Sequence, residues 1–353
     1  MEILENRFRG GGMSLGENVP FPSTNIGAVR ALLSHCPAAK ETPLEQAESL
    51  AQSAGVGAMH VKDERHRMGL GSFKALGAAY VIACDAAEAA GDGLPDETTL
   101  SGRTYITASA GNHGLSVAAG ARIFGAKAIV FLSENVPEAF KGRLEALGAT
   151  VYVEGSDYQQ SMDAAMAMGE EQGFTLLSDT SWDAYLEPPH RLMEGYLAMS
   201  GEAVEQLGTT PTHIFLQAGV GGLACSVAAY ARHVWGDEPM IVVVEPTEAP
   251  ALHHSIHEGR LATSSGGVSS MGRLDCKEAS LIALNGLARD ADYFMLLSDA
   301  EVENELPLLA GSGLETSPSG GAGLVGALVA GRAGELGLNK DSVVLTFLSE
   351  GPA

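Results

Sequence analysis

The chain has 353 residues, of which 45% are hydrophobic, so it is long enough for one large domain or two coupled domains. Its 44 acidic residues outnumber the 21 lysines and arginines, which gives a formal net charge of −23. This balance argues against nucleic acid or an anionic membrane as a partner, although backbone amides could still hold a small anion.

Strand-like apolar runs alternate with helical segments along the chain. Strands are predicted at residues 58–62, 104–108, 128–132, 150–154, 213–217, 240–245 and 342–348. Helices are predicted at residues 73–88, 114–124, 138–147, 158–171, 189–206 and 222–234. Loops are predicted at residues 20–22, 92–102 and 263–273. The alternation predicts an α/β fold in which helices cover both faces of a parallel sheet.

Cysteine spacing and the first residues indicate a reduced compartment. The chain contains no CxxC pair, and its cysteines fit neither a disulfide framework nor a zinc site; they are Cys36, Cys84, Cys225 and Cys276. The opening Met-Glu-Ile-Leu-Glu lacks the basic and apolar regions of a signal peptide, and no apolar run approaches the roughly 18 residues of a membrane span. We expect an unprocessed cytoplasmic protein of bacterial type.

The segment from Gly69 to Gly77 places a lysine at the start of a predicted helix. We expect partial burial to lower the pKa of Lys74, which would suit this amine to Schiff-base chemistry. An isolated lysine at a helix start is more often a surface residue. The apolar residues after Lys74 favour burial, because they make both faces of the helix apolar.

Two further segments join a predicted strand to a predicted helix. The first segment is Ser109-Ala110-Gly111-Asn112-His113-Gly114. Its small residues would let an anion approach the backbone amides, and the Asn112 amide could bind a phenolate or carboxylate. Taken alone, this segment is more simply interpreted as an ordinary helix N-cap. In Gly219-Val220-Gly221-Gly222, consecutive amides could hold a phosphate. The second segment also matches GxGxxA, and with Glu245 it imitates the ribose-binding unit of a nicotinamide-dependent oxidoreductase. That alternative gives Lys74 and Asn112 no role, whereas a phosphorylated aldehyde cofactor would use all three segments.

Together these segments resemble the fold type II pyridoxal-phosphate enzymes, which are similar to the tryptophan synthase β chain, and among them the diaminopropionate ammonia-lyase family. The resemblance covers most of the chain, and its order and spacing are hard to produce by chance. It rests on Val61 to Glu64, Arg67 to Lys74, Gly111 to Gly114, Ser178 to Tyr185, Pro188 to Tyr196, Gln217 to Gly222 and Ser349 to Gly351.

The resemblance implies a role for each candidate residue. Lys74 would carry pyridoxal 5'-phosphate, Asn112 would contact its ring oxygen and Ser349 would face its pyridine nitrogen. The phosphate would bind Gly219, Val220, Gly221 and Gly222, and the substrate would bind Ser109, Ala110, Gly111 and His113. Asp179 is the candidate base for an L-substrate, with Lys74 as the other contender; Asp179 could instead cap a following helix.

The implied reaction is α,β-elimination on a 3-substituted alanine, with L-2,3-diaminopropionate giving pyruvate and ammonia. Ala110 departs from the family, which usually has an aspartate there that serves the D-isomer, so we expect poor turnover of the D-isomer. The same departure makes the loop resemble serine and threonine dehydratases, so a serine, threonine or 3-hydroxyaspartate dehydratase stays open, as does a catalytically silent member of the fold.

The resemblance also implies two open twisted α/β domains with the cofactor in the cleft between them. We expect a large domain from residues 1–75 and 179–353 and a smaller inserted domain from residues 76–178. A homodimer is expected, with the apolar helix at residues 323–330 as a candidate face. His253, His254 and His257 lack a third metal ligand, so we expect no metal and assign these side chains to the surface or an interface.

Overall fold

The computed structural model describes residues 1–352, and Ala353, the last residue of the predicted large domain, lies outside them. The strands are β1 (Glu2–Glu5), β2 (Leu44–Gln46), β3 (Ala58–Asp63), β4 (Thr104–Ala108), β5 (Lys127–Leu132), β6 (Thr150–Val153), β7 (Thr175–Leu176), β8 (His213–Gln217), β9 (Met240–Pro246), β10 (Tyr293–Leu297) and β11 (Val343–Leu348).

The helices alternate with these strands along most of the chain. They are α1 (Ile26–Leu33), α2 (Glu48–Ala54), α3 (Lys74–Ala90), α4 (Asn112–Ile123), α5 (Glu138–Ala146), α6 (Tyr158–Gln172), α7 (Glu187–Gly195), α8 (Leu197–Leu207), α9 (Gly222–Trp235), α10 (Ala251–Glu258), α11 (Leu281–Asp290), α12 (Asp299–Glu303), α13 (Leu306–Gly311) and α14 (Pro318–Ala333). A 3-10 turn at Arg67–Gly69 precedes α3. None of the helices within residues 1–352 is both long and apolar enough to cross a bilayer.

The strands form two separate sheets. The seven-stranded sheet has the order β1-β10-β9-β8-β11-β3-β2, and only its edge strands β1 and β2 run antiparallel to their neighbours. The four-stranded sheet has the order β6-β5-β4-β7 and is parallel throughout. Strands β4 and β8 are buried at every position, as expected when helices cover both faces. The predicted α/β class is confirmed.

Each candidate segment follows the carboxyl end of a strand. Lys74 begins α3 after β3 and the 3-10 turn, Asn112 begins α4 after β4, and Gly222 begins α9 after β8. Ser349 directly follows β11, the central neighbour of β3 and β8. Ligand sites of open α/β sheets form at this edge, so the topology gathers the candidate residues there.

Helix α3 packs very closely against α7. A Cβ atom added to Gly77 would lie 2.7 Å from Cε1 of Tyr196, and one added to Gly195 would lie 2.5 Å from the carbonyl oxygen of Leu76. Real Cβ atoms do not approach other atoms this closely, so Gly195 lets α7 meet the backbone of α3, and Gly77 leaves room for the side chain of Tyr196. The contact fixes the first turn of α3, which begins at Lys74, relative to Tyr196.

The predicted helix at residues 189–206 is in fact two helices. Helix α7 ends at Gly195, α8 begins at Leu197, and Tyr196 lies between them. The break arises because the backbone N–H of Tyr196 bonds to the carbonyl of Met193, three residues back, where a continuous α-helix would bond four residues back.

The remaining predictions agree closely with the structure, except in the short elements. The other predicted strands and helices are confirmed, with bounds that differ by at most a few residues. The pattern does not predict β1, β2, β7 and β10, nor α1, α2 and α10 to α13. Most of these strands and helices are short or lie at a sheet edge, where an apolar period is hard to recognise.

Two predictions about larger units have different outcomes. The domain bounds at residues 75/76 and 178/179 stay a prediction; the four-stranded sheet draws its strands from residues 104–176. The suggestion that residues 323–330 offer an interface face is wrong. In α14 all of them except Val329 are buried within the chain, packed on strands β8 and β11 of the large sheet.

Candidate active site

Lys74 and Asp179 form an ion pair at the start of α3. The Nζ atom of Lys74 lies 2.5 Å from Oδ2 of Asp179, and the two side chains are 22% and 18% exposed. The ring centres of Phe73 and Tyr196 lie 5.3 Å and 6.0 Å from the same Nζ. Two aromatic rings and one carboxylate therefore surround the amine.

The ion pair changes the expected acidity of Lys74. Burial disfavours the ammonium, but attraction to Asp179 outweighs burial and raises the pKa of Lys74 above its ordinary value. The expectation of a lowered pKa is wrong, because it considered burial without the carboxylate. Burial likewise opposes ionisation of Asp179, but Lys74 and His113 hold the pKa of Asp179 well below its usual range. Lys74 must lose its proton before its amine can act as a nucleophile.

Asp179 lies in a turn and does not cap a helix. The next helix, α7, begins only at Glu187. Between them, the rings of Trp182 and Tyr185 stack 4.5 Å apart, and the Tyr185 hydroxyl accepts from the backbone N–H of Ser178 at 3.1 Å. This turn holds Asp179 towards Lys74, and the alternative that Asp179 is a helix cap is wrong.

Tyr196 is a residue of this site that the sequence does not single out. Its hydroxyl is buried and has no hydrogen-bond partner among residues 1–352, and the same is true of the Ser72 hydroxyl. Burial raises the pKa of Tyr196, so the phenol stays protonated and able to donate. Unpartnered buried hydroxyls are rare and costly. The Tyr196 ring lies beside Lys74, so a bound molecule there could complete the hydrogen bond of its hydroxyl.

The glycine loop, residues 219–222, lies against Tyr196. A Cβ atom at Gly222 would be 3.5 Å from Cε2 of this tyrosine. Gly221 has φ +100°, a conformation that other residues rarely adopt, and a Cβ there would meet Ala283 at 3.0 Å. Tyr196 therefore neighbours both the amine and the glycine loop, so these two groups lie near the same side chain. The amine, the glycine loop and the unpartnered hydroxyl of Tyr196 all fit a phosphorylated aldehyde cofactor.

Cys276 and Tyr158 also reach this site without a signal in the sequence. The Sγ atom of Cys276 would lie 3.1 Å from a Cβ on Gly219, and burial raises the pKa of this thiol to about 12. Tyr158 begins α6 and is 52% exposed. Burial of its hydroxyl, with the negative charge of Asp179, raises the pKa of Tyr158.

The predicted substrate-binding loop is held by its own hydrogen bonds. The Ser109 hydroxyl accepts from the backbone N–H of Gly111 at 3.3 Å and of Gly114 at 3.1 Å. His113 is buried, with Nε2 2.8 Å from the carbonyl oxygen of Leu177, and burial lowers its pKa although Asp179 opposes the shift. Ala110 is exposed and carries no polar group. Substrate contact by these residues stays a prediction.

Asn112 contacts Glu350, the residue that follows Ser349 in the chain. The Asn112 amide donates to the Glu350 carboxylate. Ser349 is buried, and its carbonyl oxygen accepts from the backbone N–H of Phe73 at 3.1 Å. The candidate residues from the two sheets therefore converge on one region, with Glu350 as a further residue that the sequence does not single out.

Two alternatives find no support in the structure. Both carboxylate oxygens of Glu245 accept backbone N–H groups at the start of α10, from Leu252 and His253, each at 2.7 Å. Burial raises the pKa of Glu245 to about 8, although these two hydrogen bonds act to lower it. This group is therefore not a free, ionised ribose ligand. Within residues 1–352 no cluster of metal-ligating side chains is found.

Comparison with known proteins agrees with this geometry. A family model described as pyridoxal-phosphate dependent enzyme matches residues 36–350. The chain is similar to diaminopropionate ammonia-lyase of Escherichia coli (strain K12), with 30% identity over 99% of this chain and 93% of the relative. It is also similar to L-serine dehydratase/L-threonine deaminase of Mus musculus, with 29% identity over 63% of this chain and 62% of the relative.

A solved structure has the same overall fold. The crystal structure of the Escherichia coli diaminopropionate ammonia-lyase in complex with an aminoacrylate-PLP azomethine reaction intermediate superposes with a TM-score of 0.88. It is 29% identical and covers 99% of this chain and 93% of its own. The predicted fold type II architecture is confirmed.

Proposed function

Because the chain belongs to the pyridoxal-phosphate dependent enzyme family, we propose that it is an ammonia-lyase that converts L-2,3-diaminopropionate to pyruvate and ammonia. The observation that carries this proposal is the Lys74–Asp179 pair beside the glycine loop, in a chain similar to a diaminopropionate ammonia-lyase over 99% of its length. The pair provides one amine and one base at the same point.

Pyridoxal phosphate is the cofactor of this family and supplies an electron sink for the charge that develops on the substrate's Cα. Lys74 would hold the cofactor, the N–H groups of the glycine loop would hold its phosphate, and Asn112 and Ser349 would contact its ring. A hydroxyl at Ser349 does not keep a ring nitrogen protonated as a carboxylate would, and this favours elimination over transamination.

Asp179 would accept the Cα proton of the substrate. Its carboxylate is held in the ionised form by Lys74, and its basicity rises once that amine no longer presents a positive charge to it. Lys74, released from the cofactor, is the alternative proton acceptor. The β-amino group, which enters as an ammonium, leaves as ammonia with the electron pair of the Cβ–N bond. The enamine product then takes up one water and gives pyruvate and a second ammonia.

Ala110 limits the stereochemistry that we propose. A methyl group can neither accept a proton nor pair with an amine, so no acid stands at this position of the substrate loop. Asp179 can serve only one face of the substrate. We therefore propose preference for the L-isomer and poor turnover of the D-isomer.

The decisive experiment measures pyruvate release from L- and D-diaminopropionate, L-serine, L-threonine, 3-hydroxyaspartate and 3-chloroalanine. We expect the highest kcat/KM for L-diaminopropionate. Faster turnover of L-serine or L-threonine would identify a dehydratase and overturn the substrate assignment. Equal turnover of the two diaminopropionate isomers would refute the argument from Ala110. A yellow protein inert towards all six would identify a catalytically silent member of the fold.

We further propose a homodimer, on the basis of the family alone, and a cytoplasmic location, on the basis of the cysteine pattern. Light scattering should give twice the mass of one chain. A mass equal to one chain would overturn the assembly but would leave the proposed reaction untouched.

A further inference from the structure

Glu350 joins four segments that surround the candidate active site. It is only 5% exposed, and its backbone forms an isolated bridge with Ser72, close to Lys74 in the chain. Its carbonyl oxygen accepts from the Thr316 hydroxyl at 2.6 Å. Its carboxylate meets Arg273, whose Nε lies 2.8 Å from Oε2.

Two further donors complete the surroundings of this carboxylate. Oε2 accepts from the Nδ2 group of Asn112, and Oε1 accepts from the hydroxyl of Ser317, the residue that caps α14. The side-chain neighbours of Glu350 are therefore donors on three different segments of the chain. The guanidinium of Arg273 compensates the negative charge, which makes a buried carboxylate tolerable here.

These contacts fix the orientation of the Asn112 amide. An ionised carboxylate can only accept hydrogen bonds, so the amide must present its NH2 group to Glu350. The NH2 group has two protons, and the structure gives it one acceptor among residues 1–352. The second proton is left for another acceptor. Asn112 and Glu350 both line a cavity of about 410 Å³, whose walls do not include Lys74 or the glycine loop.

We propose that Glu350 is a positioning residue that acts through Asn112. By accepting one N–H of the Asn112 amide, Glu350 keeps the other N–H directed at the ring oxygen of pyridoxal phosphate and so favours the unprotonated form of that oxygen. The inference rests on the proposed function, because it assumes this cofactor and the predicted role of Asn112.

The test compares Glu350→Gln with the parent protein, both loaded with pyridoxal phosphate and without substrate. Glutamine can donate as well as accept, so it no longer dictates which side of the Asn112 amide faces the cofactor. We expect full cofactor content, a smaller ratio of the yellow band to the near-ultraviolet band, and a shifted pH titration of that ratio. With substrate, kcat/KM should fall roughly 10-fold, as for a lost hydrogen bond to a charged group.

The matched control is Glu315→Gln, the same chemical change on the wall of the same cavity. Among the hydrogen bonds of residues 1–352, Glu315 takes part only through its backbone carbonyl, which accepts from Arg65. This variant should keep the parent's spectrum and titration. An identical spectrum and titration in Glu350→Gln and the parent would overturn the inference.

A double-mutant cycle separates orientation from simple loss of charge. Asn112→Ala should reproduce the spectral change, and the double variant should show no further change, because Glu350 acts through the residue removed. Additive effects would contradict the inference. If Glu350→Gln fails to fold, the spectrum and pH titration of Glu350→Asp and of Asn112→Ala are compared with those of the parent instead. A parent protein that binds no pyridoxal phosphate would refute the proposed function itself.

Discussion

Two groups of enclosed charges lie close together in the chain and differ in how completely they are bonded. The first is the buried charge network of Lys62, Glu64, Arg67 and Glu202. The second is the Lys74–Asp179 pair. In the network, Nζ of Lys62 donates to the carbonyl oxygen of Thr42 at 2.6 Å and to Gln206 at 2.8 Å, and it lies 2.7 Å from Glu202.

Arg67 is equally well satisfied. Its guanidinium contacts both carboxylates of the network at 2.6 to 2.9 Å and also donates to the carbonyl oxygen of Lys40 and the hydroxyl of Thr42. Lys74, in contrast, has one carboxylate partner, and the nearby hydroxyl of Tyr196 has no partner among residues 1–352.

The comparison separates a network whose charges are fully paired within the chain from a pair that has an unpartnered hydroxyl beside it. A fully bonded network leaves no donor or acceptor for a ligand, and removal of one member exposes the others to an apolar interior. An incompletely bonded pair can exchange its partner for a bound molecule. The two groups differ in the unsatisfied hydroxyl that lies beside the pair, and the pair is also more exposed than the network.

The largest expected effect is at Lys74. Lys74→Ala should reduce pyruvate release to the assay background, because no other amine stands at that position. Borohydride reduction should trap the cofactor on the parent protein and not on the variant. Lys340→Ala, a change at an exposed lysine, is the control and should match the parent. Cofactor trapped on Lys74→Ala would place the reactive amine elsewhere.

Asp179→Asn tests the other half of the pair. We expect kcat to fall about 10²- to 10⁴-fold, the typical cost of losing a catalytic acid or base, with cofactor content retained. Cofactor absorbance and initial rates on one preparation measure both quantities. A variant with the parent's kcat would leave Lys74 as the base.

Glu202→Gln tests the network and should affect stability, not chemistry. Breaking a buried ion pair costs about 3 kcal/mol of unfolding free energy, because Lys62 and Arg67 lose a charged partner. Urea unfolding measures this change, and kcat per folded molecule should stay that of the parent. A large loss of kcat in a stable variant would contradict the distinction between the two groups.

The stability lost in Glu202→Gln should depend on pH. Burial opposes ionisation of Glu202, but hydrogen bonds and attraction from Arg67 and Lys62 lower its pKa in the folded protein. The stability that this group contributes is present above its unfolded pKa, and it is lost as pH falls through the lowered folded pKa. The difference in stability between the parent and Glu202→Gln should therefore narrow in acid. A constant difference would mean that Glu202 is not ionised in the folded state.

The smallest effect is expected at Tyr196. Tyr196→Phe removes a hydroxyl that has no partner among residues 1–352, so stability without cofactor should not fall. Affinity for pyridoxal phosphate should fall roughly 10-fold if that hydroxyl donates to the cofactor. Titration of the cofactor-free protein measures this affinity. Unchanged affinity would mean that the Tyr196 hydroxyl does not contact the cofactor.

Much of the fold could be predicted from sequence, because long apolar runs specify the central strands wherever they pair. Strands β4 and β8 have the predicted bounds. Strands of two or three residues, such as β7 and β2, carry no readable period and exist only through pairing with a neighbour.

The candidate site was predictable where a residue follows a strand, as Lys74, Asn112 and the glycine loop do. Tyr196 and Glu350 were not, because their importance lies in what they contact. The pKa of Lys74 was mispredicted for the same reason. Its partner Asp179 lies 105 residues further along the chain, and no local pattern reveals that contact.

The close approach of α3 and α7 has a consequence for how this protein can change. Since Gly195 lets α7 approach the backbone of α3 at Leu76, the position of the Lys74 backbone depends on the spacing of these two helices. An added methyl group at either glycine would push the helices apart and carry the amine with them. Variants with a different substrate preference can differ in the residues that line the site. They still need glycine at both of these positions to keep the helix spacing.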